Sequence, residues 1–292
     1  MTDLETHEYL TVKELAALLR IKERKVYDLA ASGKVPCSRA MGKLLFPAAD
    51  IRAWIDDAKT GGEHEVARPN IFLGSHDPLL DWAIRQSRCG LATFFDGSLD
   101  GLEKFRSGGG VASGLHVFDA NTKSWNVTEA APFAADQNAA LVNFAKRQRG
   151  LVFRSDGPRP ASITDLRGLV IAPRQEASGT AKLFDNLARQ GGLAHSDARF
   201  AQVARTEDEA AQLVRSGDAD VTFGLQPVAN TYGLDFVPLI EERFDILVDR
   251  RAWFEPPLQT LFEFCRSEAF RNRADSQPGY DVSELGQVVW NA

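Results

Sequence analysis

Cysteine is scarce. Cys37, Cys89 and Cys265 are the three in 292 residues. An odd, scattered set gives neither a disulfide framework nor a zinc spacing, and it suits a reducing compartment. Histidine is equally thin, with five residues and no HxxxH or HExxH pair. Asp77 and Asp119 are isolated carboxylates, so no metal site is predicted. No window holds eighteen consecutive apolar residues, which argues against a membrane helix. Residues 1–5 are acidic and lack an apolar run, so no secretory signal and a cytoplasmic location are expected. Catalytic signatures are missing as well. There is no Walker A and no strand-linked GxGxxG. Gly108-Gly109-Gly110 lacks the following Lys-Ser/Thr and reads as a turn. No Gly-x-Ser-x-Gly elbow surrounds Ser178, and His116 with Asp119 makes no triad. Trp82, Trp125 and Trp290 read as core. The expectation is a protein without catalytic residues, metal or cofactor.

What is present is ordinary in bulk and uneven in charge. Hydrophobic residues make up 44% and charged residues 25%, enough for sizeable cores in about two domains. The net charge is −6. Residues 1–60 carry +1 and the remainder −7. Within 20–43 the balance reaches +5, from Arg20, Lys22, Arg24, Lys25, Lys34, Arg39 and Lys43 against Glu23 and Asp28. A basic segment in an acidic protein can serve a phosphate backbone or merely be a solvated helix face.

Pattern decides between them. Thr11-Val12-Lys13-Glu14 is a capping box. Leu15, Leu18 and Leu19 then repeat at helical spacing. Arg20-Ile21 makes a break, and 22–31 reads as a second helix with Val26, Leu29 and Ala30 inward and Arg24, Lys25 and Tyr27 outward. Two short helices across a tight turn form a helix-turn-helix, whose second helix enters the major groove. Lys34-Val35-Pro36 leads to a hairpin around Met41-Gly42-Lys43, with Arg39 and Lys43 near its tip. Pro47 opens a third helix that packs through Ile51, Trp54 and Ile55. Tyr9-Leu10-Thr11-Val12-Lys13-Glu14-Leu15-Ala16, Lys25-Val26-Tyr27, Gly33-Lys34-Val35-Pro36 and Phe46-Pro47 to Trp54 together resemble the excisionase-type winged helix related to the MerR DNA-binding domain. The resemblance covers about 8–57 and implies binding of double-stranded DNA, through Lys22, Arg24, Lys25, Tyr27, Arg39 and Lys43.

Residues 57–69, with Gly61-Gly62, mixed charge and no periodicity, read as a linker. The domains expected are 1–57 and 70–292, joined by 58–69. Beyond the linker, short apolar runs alternate with helical patterns, which predicts an α/β fold with a parallel-rich sheet. Two lobes are expected, since about 220 residues exceed one such sheet. The runs 140–144 and 151–153 look extended, and the C-terminal region reads as largely helical. Three helix starts follow strands: Gly74-Ser75-His76-Asp77, Gly97-Ser98-Leu99-Asp100-Gly101 and Ala177-Ser178-Gly179-Thr180. Each offers a hydroxyl, backbone N–H groups and a positive helix end, which together cradle an anion. His76 and His116 could line the same cleft.

Gly74 to Pro78, Gly97 to Leu102, Gly114 to Asp119, Arg174-Gln175-Glu176-Ala177-Ser178-Gly179-Thr180 and Leu234 to Leu239 resemble the type 2 periplasmic-binding-protein-like domain. The likeness is to members found in cytoplasmic regulators and beside molybdenum-cofactor proteins, and in layout to molybdate- and tungstate-binding proteins. It spans roughly 68–270. It implies two lobes closing on a small ligand, with a crossover near 142–152 and a return near 236–246. In that family a basic residue often follows the Arg-Gln pair and Gly-Ser-Gly-Thr is often followed by Arg; Glu176, Ala177 and Ala181 occupy those places here, so an arginine clamp depends on Arg174. The expectation is a one-component transcriptional regulator: an N-terminal winged helix-turn-helix on DNA, and a C-terminal two-lobed α/β domain sensing molybdate or tungstate. The ligand would be held by Ser75, His76, Ser98, His116, Arg174, Ser178, Gly179 and Thr180. A homodimer or higher homo-oligomer is expected, without membrane contact. Alternatives are a small organic or sulfur-containing anion as effector, or an accessory protein to molybdenum-cofactor enzymes.

Overall fold

The computed structural model describes residues 8–40, 42–57 and 67–292. The chain divides into two compact units, Met1–Val66 and Ala67–Ala292. Most of the expected linker, 58–66, and Met41 at the hairpin tip lie outside the described residues.

The first unit orders β1 (Tyr9–Leu10), α1 (Val12–Leu19), α2 (Glu23–Ala31), β2 (Ser38–Ala40), β3 (Lys43–Pro47) and α3 (Ala48–Asp57). Thr11 caps α1: its hydroxyl accepts from the Glu14 amide at 3.3 Å, and the Thr11 amide donates to Glu14 Oε2 at 2.7 Å. Arg20 ends α1 in the left-handed region, with φ 55°. That turns the chain sharply into α2, whose N-cap is Lys22. The wing β2–β3 is joined by β1, giving a three-stranded sheet in the order β1-β3-β2. Sequence pattern had suggested only the hairpin. Leu15, Val26, Phe46 and Ile51 are fully buried in one core, and Trp54 and Ile55 pack against it. Burial of each large side chain is worth about 1.5–3 kcal/mol, and this core holds the α1–α2 angle.

The second unit runs β4 (Ile71–Gly74), α4 (Pro78–Ser87), β5 (Ala92–Phe95), α5 (Ser98–Arg106), β6 (Ala112–Leu115), β7 (Phe118–Asp119), β8 (Ser124–Trp125), α6 (Val127–Ala134) and β9 (Ala139–Phe153). It continues through β10 (Val170–Ala172), α7 (Gly179–Gln190), β11 (Arg199–Phe200), α8 (Glu207–Ser216), β12 (Val221–Leu225), α9 (Gln226–Tyr232) and β13 (Asp235–Asp249). It closes with α10 (Pro256–Cys265), α11 (Glu268–Asp275), β14 (Tyr280–Asp281) and β15 (Val288–Asn291). A curled, mixed sheet of ten strands follows the order β11-β10-β12-β9-β13-β6-β4-β5, with β14 and β15 on β9. β4 is parallel to β5 and β6, and β10 is parallel to β11 and β12. These triplets form the two lobes. The antiparallel pair β9–β13 runs through both.

Residues 140–144 and 151–153, both read as extended, belong to one strand of 15 residues. Its charged middle, Lys146 to Arg149, continues the ladder because β13 offers Glu242 opposite Arg147. The C-terminal region, read as largely helical, holds α10 and α11 and then the short strands β14 and β15, which pair with β9. Phe72, Phe144, Phe244 and Phe270 fill the first lobe, while Leu151, Val221 and Val214 are among the buried residues of the second.

Candidate functional sites: a basic face and an interlobe cleft

On α2, Arg24, Lys25 and Tyr27 are exposed while Val26 and Ala30 are buried. Tyr27 is 53% exposed, unusual for an aromatic ring with an apolar core close by. α1, α2 and the wing enclose an open groove of about 600 Å³, lined by Lys13, Glu23, Tyr27, Arg39 and Lys43 among others. The fold thus gathers Tyr27, Arg39 and Lys43 at one concavity. Lys22, Arg24 and Lys25 lie on exposed parts of α2 and its cap, outside the groove lining. None of these five cations forms an ion pair among the described residues.

The cleft of the second unit is built where β4, β5, β6 and β10 end. A cavity of about 40 Å³ is lined from the first lobe by Ser75, His76, Phe95, Asp96, Gly97 and His116, and from the second by Arg174, Gln175, Ser178, Arg205, Thr206 and Glu207. That is room on the order of three waters, far below the 300–1,000 Å³ typical of drug-sized ligands. The two lobes touch at its mouth. Gln175 Nε2 donates to the Asp96 carbonyl at 3.4 Å, and Arg205 Nη2 lies 3.7 Å from Asp96 Oδ1. A Cβ at Gly179 would stand 2.7 Å from the His116 carbonyl oxygen. Glycine there lets the start of α7 approach the opposite lobe.

The predicted residues separate into four groups. Ser75, His76, His116, Arg174 and Ser178 line the cavity. Ser98 lies behind it: fully buried, with its hydroxyl 2.8 Å from that of Ser75 and accepting from the His116 amide at 3.2 Å. Thr180 turns away and donates to Glu207 Oε1 at 3.1 Å. Gly179 contributes its close approach beneath His116. The helix starts also differ from the expected pattern. Ser75 does not cap α4; Asp77 does, accepting from the Leu80 amide at 2.7 Å, with Pro78 in the first helical position. Gly97 caps α5, leaving Ser98 as its first residue. Ser178 is itself the N-cap of α7, accepting from the Ala181 amide at 3.1 Å. That bond uses an acceptor, so the hydroxyl proton remains available to a ligand.

A feature that sequence pattern missed lies behind this cavity. Asp77, Arg147, Glu242, Arg149, Glu207 and Arg174 form an alternating charge ladder. Arg147 Nη1 meets Asp77 Oδ2 at 2.7 Å, and its Nη2 meets Glu242 Oε1. Arg149 Nε reaches Glu242 Oε2 at 2.7 Å, and its Nη1 reaches Glu207 Oε1 at 2.9 Å. Arg174 Nη1 lies 2.9 Å from the same Glu207 oxygen. Tyr280 donates to Asp77 Oδ2 at 2.6 Å, and the Arg147 guanidinium lies over the Phe244 ring. Asp77 is therefore a cap and a counter-ion rather than a metal ligand. Asp119 accepts from the Asn121 amide and the Thr122 hydroxyl in a surface turn. Burial keeps the His116 imidazole below its ordinary range, although Glu242 Oε2 lies 3.3 Å from Nδ1. The signal available in sequence was the spacing of Arg147 and Arg149, two apart on one face of a strand.

Comparison with known proteins agrees with this architecture. A family described as "Helix-turn-helix domain" matches residues 9–59. One described as "PBP superfamily domain" matches residues 82–266. The uncharacterized protein YvgK of Bacillus subtilis is 25% identical over 311 residues, covering 98% of each chain. An uncharacterized protein from the 5′ region of a ferredoxin gene in Clostridium pasteurianum is 29% identical over 80 residues, 27% of this chain and 71% of that one. Among solved structures, a protein described as a phosphate ABC transporter substrate-binding protein from Clostridium perfringens shares the fold. It has a TM-score of 0.52 at 10% identity, covering 74% of this chain and 98% of that one. Neither matched family is a catalytic one. No helix among the described residues is long and apolar enough to cross a membrane. With its helix-turn-helix domain at the N-terminus, the chain belongs to the PBP superfamily domain family.

Proposed function

We propose that this protein is a one-component transcriptional regulator whose winged helix, of the excisionase and MerR kind, binds double-stranded DNA and whose two-lobed unit senses a small oxyanion. Molybdate or tungstate is the first candidate. One observation carries the ligand reading: a cavity of about 40 Å³ between two lobes, lined by Ser75 and by Ser178, the N-cap of α7. Neutral donors suit an ion that keeps its charge and needs several hydrogen bonds at once. The small volume favours an inorganic ion over an organic one. The oxyanion acts here as effector, and no cofactor or catalytic step is assigned. A homodimer is proposed because one winged helix covers little DNA, and paired half-sites give a geometry on which ligand binding can act.

Gel-shift titration of the full-length protein on its own upstream DNA, with and without 1 mM molybdate, tungstate, sulfate or phosphate, tests both halves. The expected result is DNA binding whose midpoint shifts with at least one oxyanion. Thermal melts with the same anions check ligand binding alone. Absence of any stabilisation by all four would reject the oxyanion reading, and unaltered mobility of the DNA would reject the regulatory one.

A further inference from the structure

Glu207 opens α8 and lines the cleft cavity. One of its oxygens, Oε1, receives Arg149 Nη1 at 2.9 Å, Arg174 Nη1 at 2.9 Å and the Thr180 hydroxyl at 3.1 Å. Three donors on one oxygen, two of them cationic, is the setting a bound oxyanion would otherwise claim. Burial alone would raise this carboxyl, but Arg149 and Arg174 outweigh it and hold it down to about 2. It is therefore ionised throughout the physiological range. The remaining edge of Arg149 is spent on Glu242, and the other cation at the cavity, Arg205, sits beside Asp96. The cavity thus presents arginines whose charge is already matched.

We propose that Glu207 determines specificity in this cleft: it is a built-in carboxylate that occupies Arg149 and Arg174 and so limits the negative charge an incoming anion can bring. This rests on the oxyanion reading of the cavity. A fixed neighbouring charge repels a dianion twice as strongly as a monoanion of the same shape. Glu207 therefore sets affinity by charge, while the serine hydroxyls set it by hydrogen bonding. Removing the carboxylate while keeping its shape frees Arg174, which lines the cavity, for the ligand, while Arg149 keeps its pairing with Glu242.

Calorimetric titration of the full-length protein with sodium molybdate and sulfate, both dianions, and with perchlorate, a tetrahedral monoanion, tests this. Glu207→Gln should bind molybdate and sulfate at least tenfold more tightly, and perchlorate more tightly by a smaller factor. Arg174→Gln should weaken molybdate at least tenfold. The double variant, whose charge equals that of the parent, should return to within about threefold. A carboxylate that merely supports the fold predicts weaker binding in both single variants. If Glu207→Gln is folded and its dianion affinity is unchanged or lower, the inference is overturned. If that variant melts below the assay temperature, 10 mM sulfate should restore its transition, and failure of this rescue overturns the inference as well. Dianion binding by Glu207→Gln with none by the parent would remove the oxyanion reading of the natural protein and leave the role of Glu207 standing. Binding by the parent with no gain in the variant would do the reverse.

Discussion

Arg24 and Lys25 stand in solvent on α2, whereas Arg147 and Arg149 on β9 are 1% exposed. The first pair forms no ion pair among the described residues. The second pair is surrounded by Asp77, Glu242 and Glu207. An exposed cation keeps its long-range field and can release counterions from a nucleic acid. A buried cation costs several kcal/mol to desolvate and must be matched within its own core. The same side-chain chemistry thus serves attraction in one unit and architecture in the other. Under the proposed oxyanion reading, binding in the acidic second unit falls not to net charge, which is repulsive, but to short-range donors held in place by a neutralised ladder.

The largest expected effect breaks this contrast directly. Arg147→Met would leave Asp77 and Glu242 without their shared partner in a dry core. The second unit should lose about 3–5 kcal/mol, read as a fall in its thermal midpoint. Lys25→Ala on the first unit should change stability by no more than about 0.5 kcal/mol. Equal, small effects would mean that the ladder is not the counterpart of the basic face. Acid titration sharpens the same point. Arg149 and Arg174 hold Glu207 down to about 2 in the folded protein, against an ordinary carboxyl value of 4.5 in the unfolded chain. Its contribution is present above 4.5 and is lost as pH falls toward 2. On the order of 3 kcal/mol is involved. Urea midpoints measured across that window should fall less steeply in Glu207→Gln than in the parent.

The two units also differed in how far sequence alone revealed them. In the first, local signals and tertiary packing agree. The Thr11 box, the left-handed break at Arg20 and the inward Val26 and Ala30 are short-range features, and all appear in the structure. In the second, strand and helix alternation was readable, but the middle of β9 was not. Lys146 to Arg149 shows no apolar strand pattern of its own, and its partner Glu242 stands in register on β13, 95 residues after Arg147. Long-range pairing leaves no local periodicity, so the ladder stayed hidden. The helix starts were legible as candidates. Which hydroxyl would face the cavity was not, because Ser98 and Thr180 are turned by contacts with Ser75 and Glu207 that no local pattern encodes.

A smaller effect probes the short-range donors. Ser178→Ala should weaken oxyanion binding at least tenfold, about 1.5–3 kcal/mol for a hydrogen bond to a charged ligand. DNA binding in the absence of ligand should be unaltered. Because the serine hydroxyls do not titrate and burial disfavours the charged form of His116, acidification should bring no gain in affinity through that imidazole. A steep gain on acidification would instead show that a protonated histidine takes part. Calorimetry at three pH values distinguishes the two.

The smallest effect belongs to the exposed cations taken singly. Each phosphate contact on duplex DNA contributes close to one unit to the slope of log affinity against log salt concentration. Arg24→Ala and Lys25→Ala, on the exposed side of α2, should each lower that slope by about one unit. Arg39→Ala and Lys43→Ala, at the groove beside Tyr27, should do the same if the wing follows the backbone. The loss should be similar for specific and unrelated sequences, since a phosphate contact carries no base information. Tyr27→Phe separates the roles within the groove. If the hydroxyl reads a base or a phosphate, affinity falls with no change in protein stability, because the ring is exposed and loses no packing. Fluorescence anisotropy from 50 to 300 mM salt provides the slopes. If all four single-cation variants keep the parent slope, the basic face lies away from DNA, and the contrast between attraction and architecture fails on its exposed side.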